Sequence, residues 1–95
     1  IIQLRERDRN QVTESLGRGA ANGHRVLEHL FERPILSVSE IRDLLGVTFQ
    51  GANHLVDRLV GIGVLEEITG QVRNRRFRYA AYINLFAAPE EPERP

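Results

Sequence analysis

The sequence predicts an α+β fold that is mostly α, with a three-helix core, a two-stranded β-hairpin, an N-terminal connector helix and a short C-terminal helix. Three observations predict it. Apolar residues recur at spacings of three and four from Val26 to Leu59, the pattern of helices with one buried face. After Gly61 and Gly63 the period falls to two, as in paired strands. Capping and turn residues stand where the helices must start and stop.

The first helix is predicted over Ile1 to about Leu16, IIQLRERDRNQVTESL. Arg5 to Arg9 alternate in charge, and the only apolar residues are Ile1, Ile2, Leu4, Val12 and Leu16. That stripe looks too thin to hold the helix on a small core, so it is expected to pack on a partner chain or on a preceding domain. Gly17 and Gly19 interrupt it. The second helix, Ala20 to Glu32, places Val26, Leu27, Leu30 and Phe31 on one face, and Pro34 ends it.

The third helix carries a complete start signal. Ser37 is its N-cap, Glu40 completes a capping box, Leu36 staples against Ile41, and Gly46 supplies a left-handed C-cap. Thr48 caps the next helix, about Phe49 to Val60, which buries Ala52, Leu55, Val56 and Leu59. Two short helices across a glycine-bearing turn make a helix-turn-helix. VLEEI then pairs across Thr69 and Gly70 with a return strand from about Arg73 to Tyr79, and AAYINLF forms the last helix. Three helices and a hairpin make a winged helix. The division expected is a connector over 1–19, the winged-helix domain over 20–88 and a disordered tail over 89–95, PEEPERP.

Ninety-five residues suffice for one domain with a small core. The chain has no cysteine, which excludes disulfides and thiolate metal sites and suits a cytoplasmic location. No apolar run is long enough to cross a membrane. With no methionine and isoleucine first, the chain reads as part of a longer protein. Thirteen basic residues, all arginine, balance thirteen acidic ones, so a case for nucleic acid must rest on local asymmetry.

A helix-turn-helix presents the N-terminal half of its second helix to the major groove, which here means Thr48, Gln50, Asn53 and His54. Gln50 and Asn53 have the amides that read adenine edges. The competing reading is a solvated polar face, because Asp57 cancels Arg58 and phosphate contacts are scarce. On the return strand Phe77 and Tyr79 share one face, and Arg76 and Arg78 the other. Arg75 has the parity of the aromatics and is expected to pair with Glu66 or Glu67 or with hairpin carbonyls, which leaves Arg73, Arg76 and Arg78 for a nucleic-acid backbone. Set against this, the same charges would blunt a strand edge. A protein-interaction or dimerisation surface is the other possibility, using Ile1, Leu4, Val12 and Leu16 with Phe49 as a second anchor. No metal site is expected from His24, His29 and His54, no cofactor from any loop, and no nucleophile from Ser37 or Thr48, which are explained as caps.

The string LGVTFQGANHLVDRLVGIGVLEEITGQVRNRRFRYAAYINLF resembles the C-terminal winged-helix domain that follows the catalytic domain in bacterial Fic/DOC family proteins. The resemblance covers about Arg25 to Phe86, with a looser likeness of the first thirty residues to that family's helical connector. Its more specific part is ITGQVRNRRFRYAAYINLF; the helix-turn-helix is generic. It implies a parent that transfers AMP from ATP to protein hydroxyls. The family signature, His-Pro-Phe-x-Asp/Glu-Gly-Asn-Gly-Arg, is not in this chain, so no catalytic or ATP-binding residue carries over. The function expected is therefore a non-catalytic recognition or regulatory domain of a Fic-like AMP-transferase. Its partners would be double-stranded DNA, a second copy, the upstream Fic domain or a protein target. A free-standing MarR-like transcription regulator is a third reading.

Overall fold

The computed structural model describes residues 2–68 and 75–87. Ile1, Arg73, Asn74, the turn at Thr69 and Gly70, and the 89–95 tail lie outside the described residues. In order, the elements are α1 (Ile2–Leu16), a 3-10 turn (Gly17–Gly19), α2 (Ala20–Leu30), β1 (Ile35–Ser37), α3 (Val38–Leu45), α4 (Phe49–Gly61), β2 (Glu66–Glu67), β3 (Arg76–Arg78) and α5 (Ala80–Ala87). The protein is mostly helical with a small antiparallel sheet of order β1-β3-β2.

Local chemistry accounts for the starts of α3 and α4. Ser37 Oγ accepts from the Glu40 amide at 3.1 Å while the Ser37 amide donates to the Glu40 carboxylate at 2.8 Å, which completes the capping box. Gly46 closes α3 at φ 69°, a conformation glycine adopts without steric cost. Thr48 Oγ1 accepts from the Gly51 amide at 2.9 Å and starts α4. Only Val47 and Thr48 separate this glycine from α4, so α3 and α4 are held close together.

The sheet has three strands where the sequence led us to expect two. β1 pairs with β3 in the register Leu36↔Phe77, and β3 pairs with β2 in the register Glu67↔Phe77. A three-residue strand between Pro34 and an N-cap is too short to display a period of two. Its partners define it: the Tyr79 amide donates to the Pro34 carbonyl at 2.8 Å and the Val38 amide to the Arg75 carbonyl at 3.3 Å.

Phe77 and Tyr79 lie fully inside, as strand parity requires, among Val26, Leu27, Leu30, Ile41, Val56 and Leu59. Leu44 and Leu45 of α3 are half-buried, as is Phe31. Phe31 instead joins an aromatic group, edge-on to Tyr79 at 5.4 Å and to Tyr82 at 5.1 Å.

The expectation for α1 is corrected. Val12 and Leu16 are not a stripe awaiting a partner but members of this chain's own core, 0% and 1% exposed. The reason lies in α2: a Cβ built on Gly23 would sit 2.8 Å from both Leu16 Cδ2 and Val12 Cγ1, so the missing side chain lets the two helices close together. The buried face of α1 runs at spacings of four through Leu4, Asp8, Val12 and Leu16, and its polar member is only 2% exposed. Asp8 accepts a short hydrogen bond from the Tyr79 hydroxyl and another from Arg7 Nε at 3.1 Å. Arg5 and Arg9 add ion pairs to Glu28 of α2. The arginine hydrogen bond from Arg5, helped by Arg9, holds the Glu28 carboxyl below the usual carboxylate range against a smaller effect of burial.

Candidate recognition surface on the fourth helix and the hairpin

The exposed side of α4 begins at its cap. Thr48 spends its hydroxyl oxygen on the Gly51 amide. Phe49, the first helical residue, is 50% exposed. Gln50 and His54 are exposed one turn apart on the same side, and Asn53 is half-buried.

Asn53 and Asp57 form the next stripe of α4, four residues apart, and both are engaged by the hairpin. Arg75, just before β3, donates from Nη1 to Asn53 Oδ1 at 2.8 Å and from Nη2 to Asp57 Oδ1 at 3.2 Å. The same guanidinium holds Glu67 of β2, through Nε at 3.2 Å and Nη2 at 3.1 Å. Its Cζ lies 4.9 Å from the centre of the Phe77 ring, within cation–π range. The Glu67 hydrogen bonds outweigh the burial cost and, with Asp57, raise Arg75 above the ordinary arginine value. One arginine thus locks α4 to the hairpin.

The expected pairing of Arg75 with Glu67 is present, while the freedom expected of its neighbours is not. Arg78 lies opposite Glu66 in the strand register and donates to it from Nε at 2.7 Å. It is therefore corrected from a free cation to a cross-strand ion pair. Arg76 is exposed but is not free of interactions either. Among the described residues of this face, Arg75, Arg76 and Arg78 are matched by Asp57, Glu66 and Glu67, so the surface carries no net positive charge. Arg58, read from sequence as the neutraliser of Asp57, instead donates to the Ser15 carbonyl at 3.0 Å, on another side of the helix.

Comparisons with family models, with characterised proteins and with solved structures returned no match. The geometry brings Phe49, Gln50 and His54 together as an exposed patch, ties Asn53 into the Arg75 cluster, and places Val12 and Leu16 in the core, with Leu4 half-buried beside them. Ile1 and Arg73 lie outside the described residues. Among the described residues, no group of three or more His, Asp or Glu side chains is placed to hold a metal ion, and no helix is long and apolar enough to cross a membrane. Sequence reading missed the Arg75–Asn53–Asp57 contact. Its signal was the four-residue spacing of Asn53 and Asp57 on the face of α4 that any following hairpin must cover.

Proposed function

We propose that the chain is a winged-helix recognition module, without catalysis of its own, that docks protein through the exposed start of α4. The winged-helix reading is supported by the order of elements from α2 to β3: a helix, a strand, two helices across a tight turn, then two strands, with the first strand on the far side of the last. In that arrangement α4 is the second helix of the helix-turn-helix and β2–β3 is the wing.

The observation that carries the choice of a protein partner is the internal neutralisation of the wing. Phosphate contacts supply most of the affinity for a duplex, and they come from available lysines and arginines. Here Arg75 and Arg78 are held by Glu67, Asp57 and Glu66, while Phe49 stands exposed at the start of α4. An exposed aromatic at the start of a helix whose neighbouring cations are neutralised suits the anchor of a protein interface. The test is fluorescence polarisation of a labelled random-sequence duplex at low and moderate salt. The expected result is no retention tighter than about 10⁻⁴ M, the weak edge of non-specific binding. Tight binding that weakens steeply with salt would refute the reading.

Exposed Gln50 and His54 favour a second reading, contact with a DNA groove, which predicts that steep salt dependence and a loss on Gln50→Ala. The resemblance of the helix-turn-helix and wing string to Fic/DOC proteins supports a cytoplasmic AMP-transferase parent. The partner would then be its catalytic domain, a second copy or its protein target. The coding sequence upstream of Ile1 decides this, since it either contains the His-Pro-Phe signature or does not.

A further inference from the structure

A cavity of about 180 Å³ opens between the 3-10 turn, the α3–α4 turn and α4. Its apolar wall is made by Leu45, Val47 and Leu55, and its polar rim by Asn22, His54 and Arg58. Two glycines, Gly19 and Gly51, complete the lining. The volume is that of a small organic molecule, since a cavity of about 150 Å³ accepts a benzene ring.

The charge of this cavity differs from that of the wing. None of its lining residues is acidic. Among the described residues Arg58 makes no ion pair: Nη2 donates to the Ser15 carbonyl at 3.0 Å, and Nη1 lies beside Gly19, 3.5 Å from where a Cβ would stand. A guanidinium is always charged and offers five donors in a planar fork suited to a carboxylate. An apolar wall facing one uncompensated arginine, with amide and imidazole groups beside it, is the chemistry of a site for an apolar acid.

We infer that this cavity binds a small monocarboxylic acid with an aromatic or branched aliphatic body. The body lies against Leu45, Val47 and Leu55, and the carboxylate accepts from Arg58, with Asn22 and His54 in reach as further polar partners. The inference is independent of what α4 docks. His54 belongs both to the cavity rim and to the exposed patch with Phe49 and Gln50, so a bound acid would lie directly behind the proposed docking face.

The experiment is a titration of the ¹⁵N-labelled 95-residue chain with benzoate, and in parallel with neutral benzamide, followed by amide chemical shifts. Benzoate is expected to give saturable shifts centred on Gly19, Val47 and Gly51, and benzamide to bind about tenfold or more weakly, because it lacks the charge-assisted contact. Arg58→Gln should weaken benzoate by a similar factor. Arg58 also ties α4 to α1, so Gly19→Ala serves as a second variant: Gly19 has φ −82°, and the new methyl would meet Arg58 Nη1 at 3.5 Å and Leu16 Cβ at 3.9 Å, ordinary contacts that narrow the cavity without straining the backbone. It too should weaken benzoate. Equal shifts with benzamide, non-saturating shifts spread over other surface arginines, or benzoate binding unchanged in Gly19→Ala would each overturn the proposal. So would a leucine-terminated peptide that binds this cavity more tightly than either benzoate or 3-methylbutanoate, because the occupant would then be a protein C-terminus.

Discussion

Tyr79→Phe isolates a polar contact buried in the core. The ring is 0% exposed and stacks on Tyr82 at 5.7 Å, so phenylalanine keeps the packing and removes only the hydroxyl. That hydroxyl is the donor to Asp8 Oδ2, and Asp8 is 2% exposed, with Arg7 Nε on its other oxygen. Leaving one oxygen of a buried carboxylate without a donor costs about 1.5–3 kcal/mol. For a domain of this size, about 2 kcal/mol lowers Tm by about 8–16 °C. Circular dichroism at helical wavelengths during thermal and urea unfolding measures both quantities. Replacing both partners, Asp8→Ala with Tyr79→Phe, should cost less than the sum of the single changes, because no polar atom is then left stranded. Burial, and then the hydrogen bond to the Asp8 carboxylate, push the Tyr79 hydroxyl above the ordinary tyrosine value of 10.0. Above about pH 10 the unfolded chain therefore loses a proton that the folded chain keeps, so this contribution is complete below pH 10 and declines above it. Tyr79→Phe should flatten that alkaline decline. A variant within about 0.5 kcal/mol of the parent, or with the same alkaline decline, would refute the reasoning.

Gly23→Ala should destabilise by about 1 kcal/mol or more despite alanine's better helix propensity, because its methyl would enter space held by Leu16 and Val12 at 2.8 Å. Gly61→Ala, which meets nothing within 4 Å, should be neutral or slightly stabilising in the same urea titration. Arg75→Ala should cost about 1–2 kcal/mol by leaving Asp57 and Glu67 facing each other without their shared cation, and the loss should shrink at high salt. Arg75→Lys should recover little of it, because an ammonium cannot span Asn53, Asp57 and Glu67 at once; equal stability of the lysine variant and the parent would count against the shared fork.

Local signals in this chain were legible where one residue type answers one backbone need. Ser37 with Glu40, Gly46 and Thr48 marked both ends of α3 and the start of α4 to the residue, and the alternation of Phe77 and Tyr79 with Arg76 and Arg78 assigned the faces of β3. Reading went astray at Asp8, Asn53 and β1. Asp8 lies within the alternating charges of Arg5 to Arg9, where nothing local sets it apart, and its burial depends on a tyrosine 71 residues later. Asn53 looked available because Arg75, 22 residues away, had nearer acids in Glu66 and Glu67. Of the interaction stripe expected on α1, Val12 and Leu16 were correctly recognised as apolar, but their partner is Gly23, whose contribution is the absence of a side chain.

The order of residues set both ends of α3, the start of α4, which residues of α4 and β3 turn inward, and that any positive surface would have to be local. These follow from caps, turns and periodicity, which act within a few residues. The tertiary contacts decided that α1 belongs to the core, that a third strand exists, and that Arg75 and Arg78 are neutralised by acids from β2 and α4. Each of these is set by pairing between segments distant in the chain, which depends on which surfaces the fold brings within a few ångströms of one another.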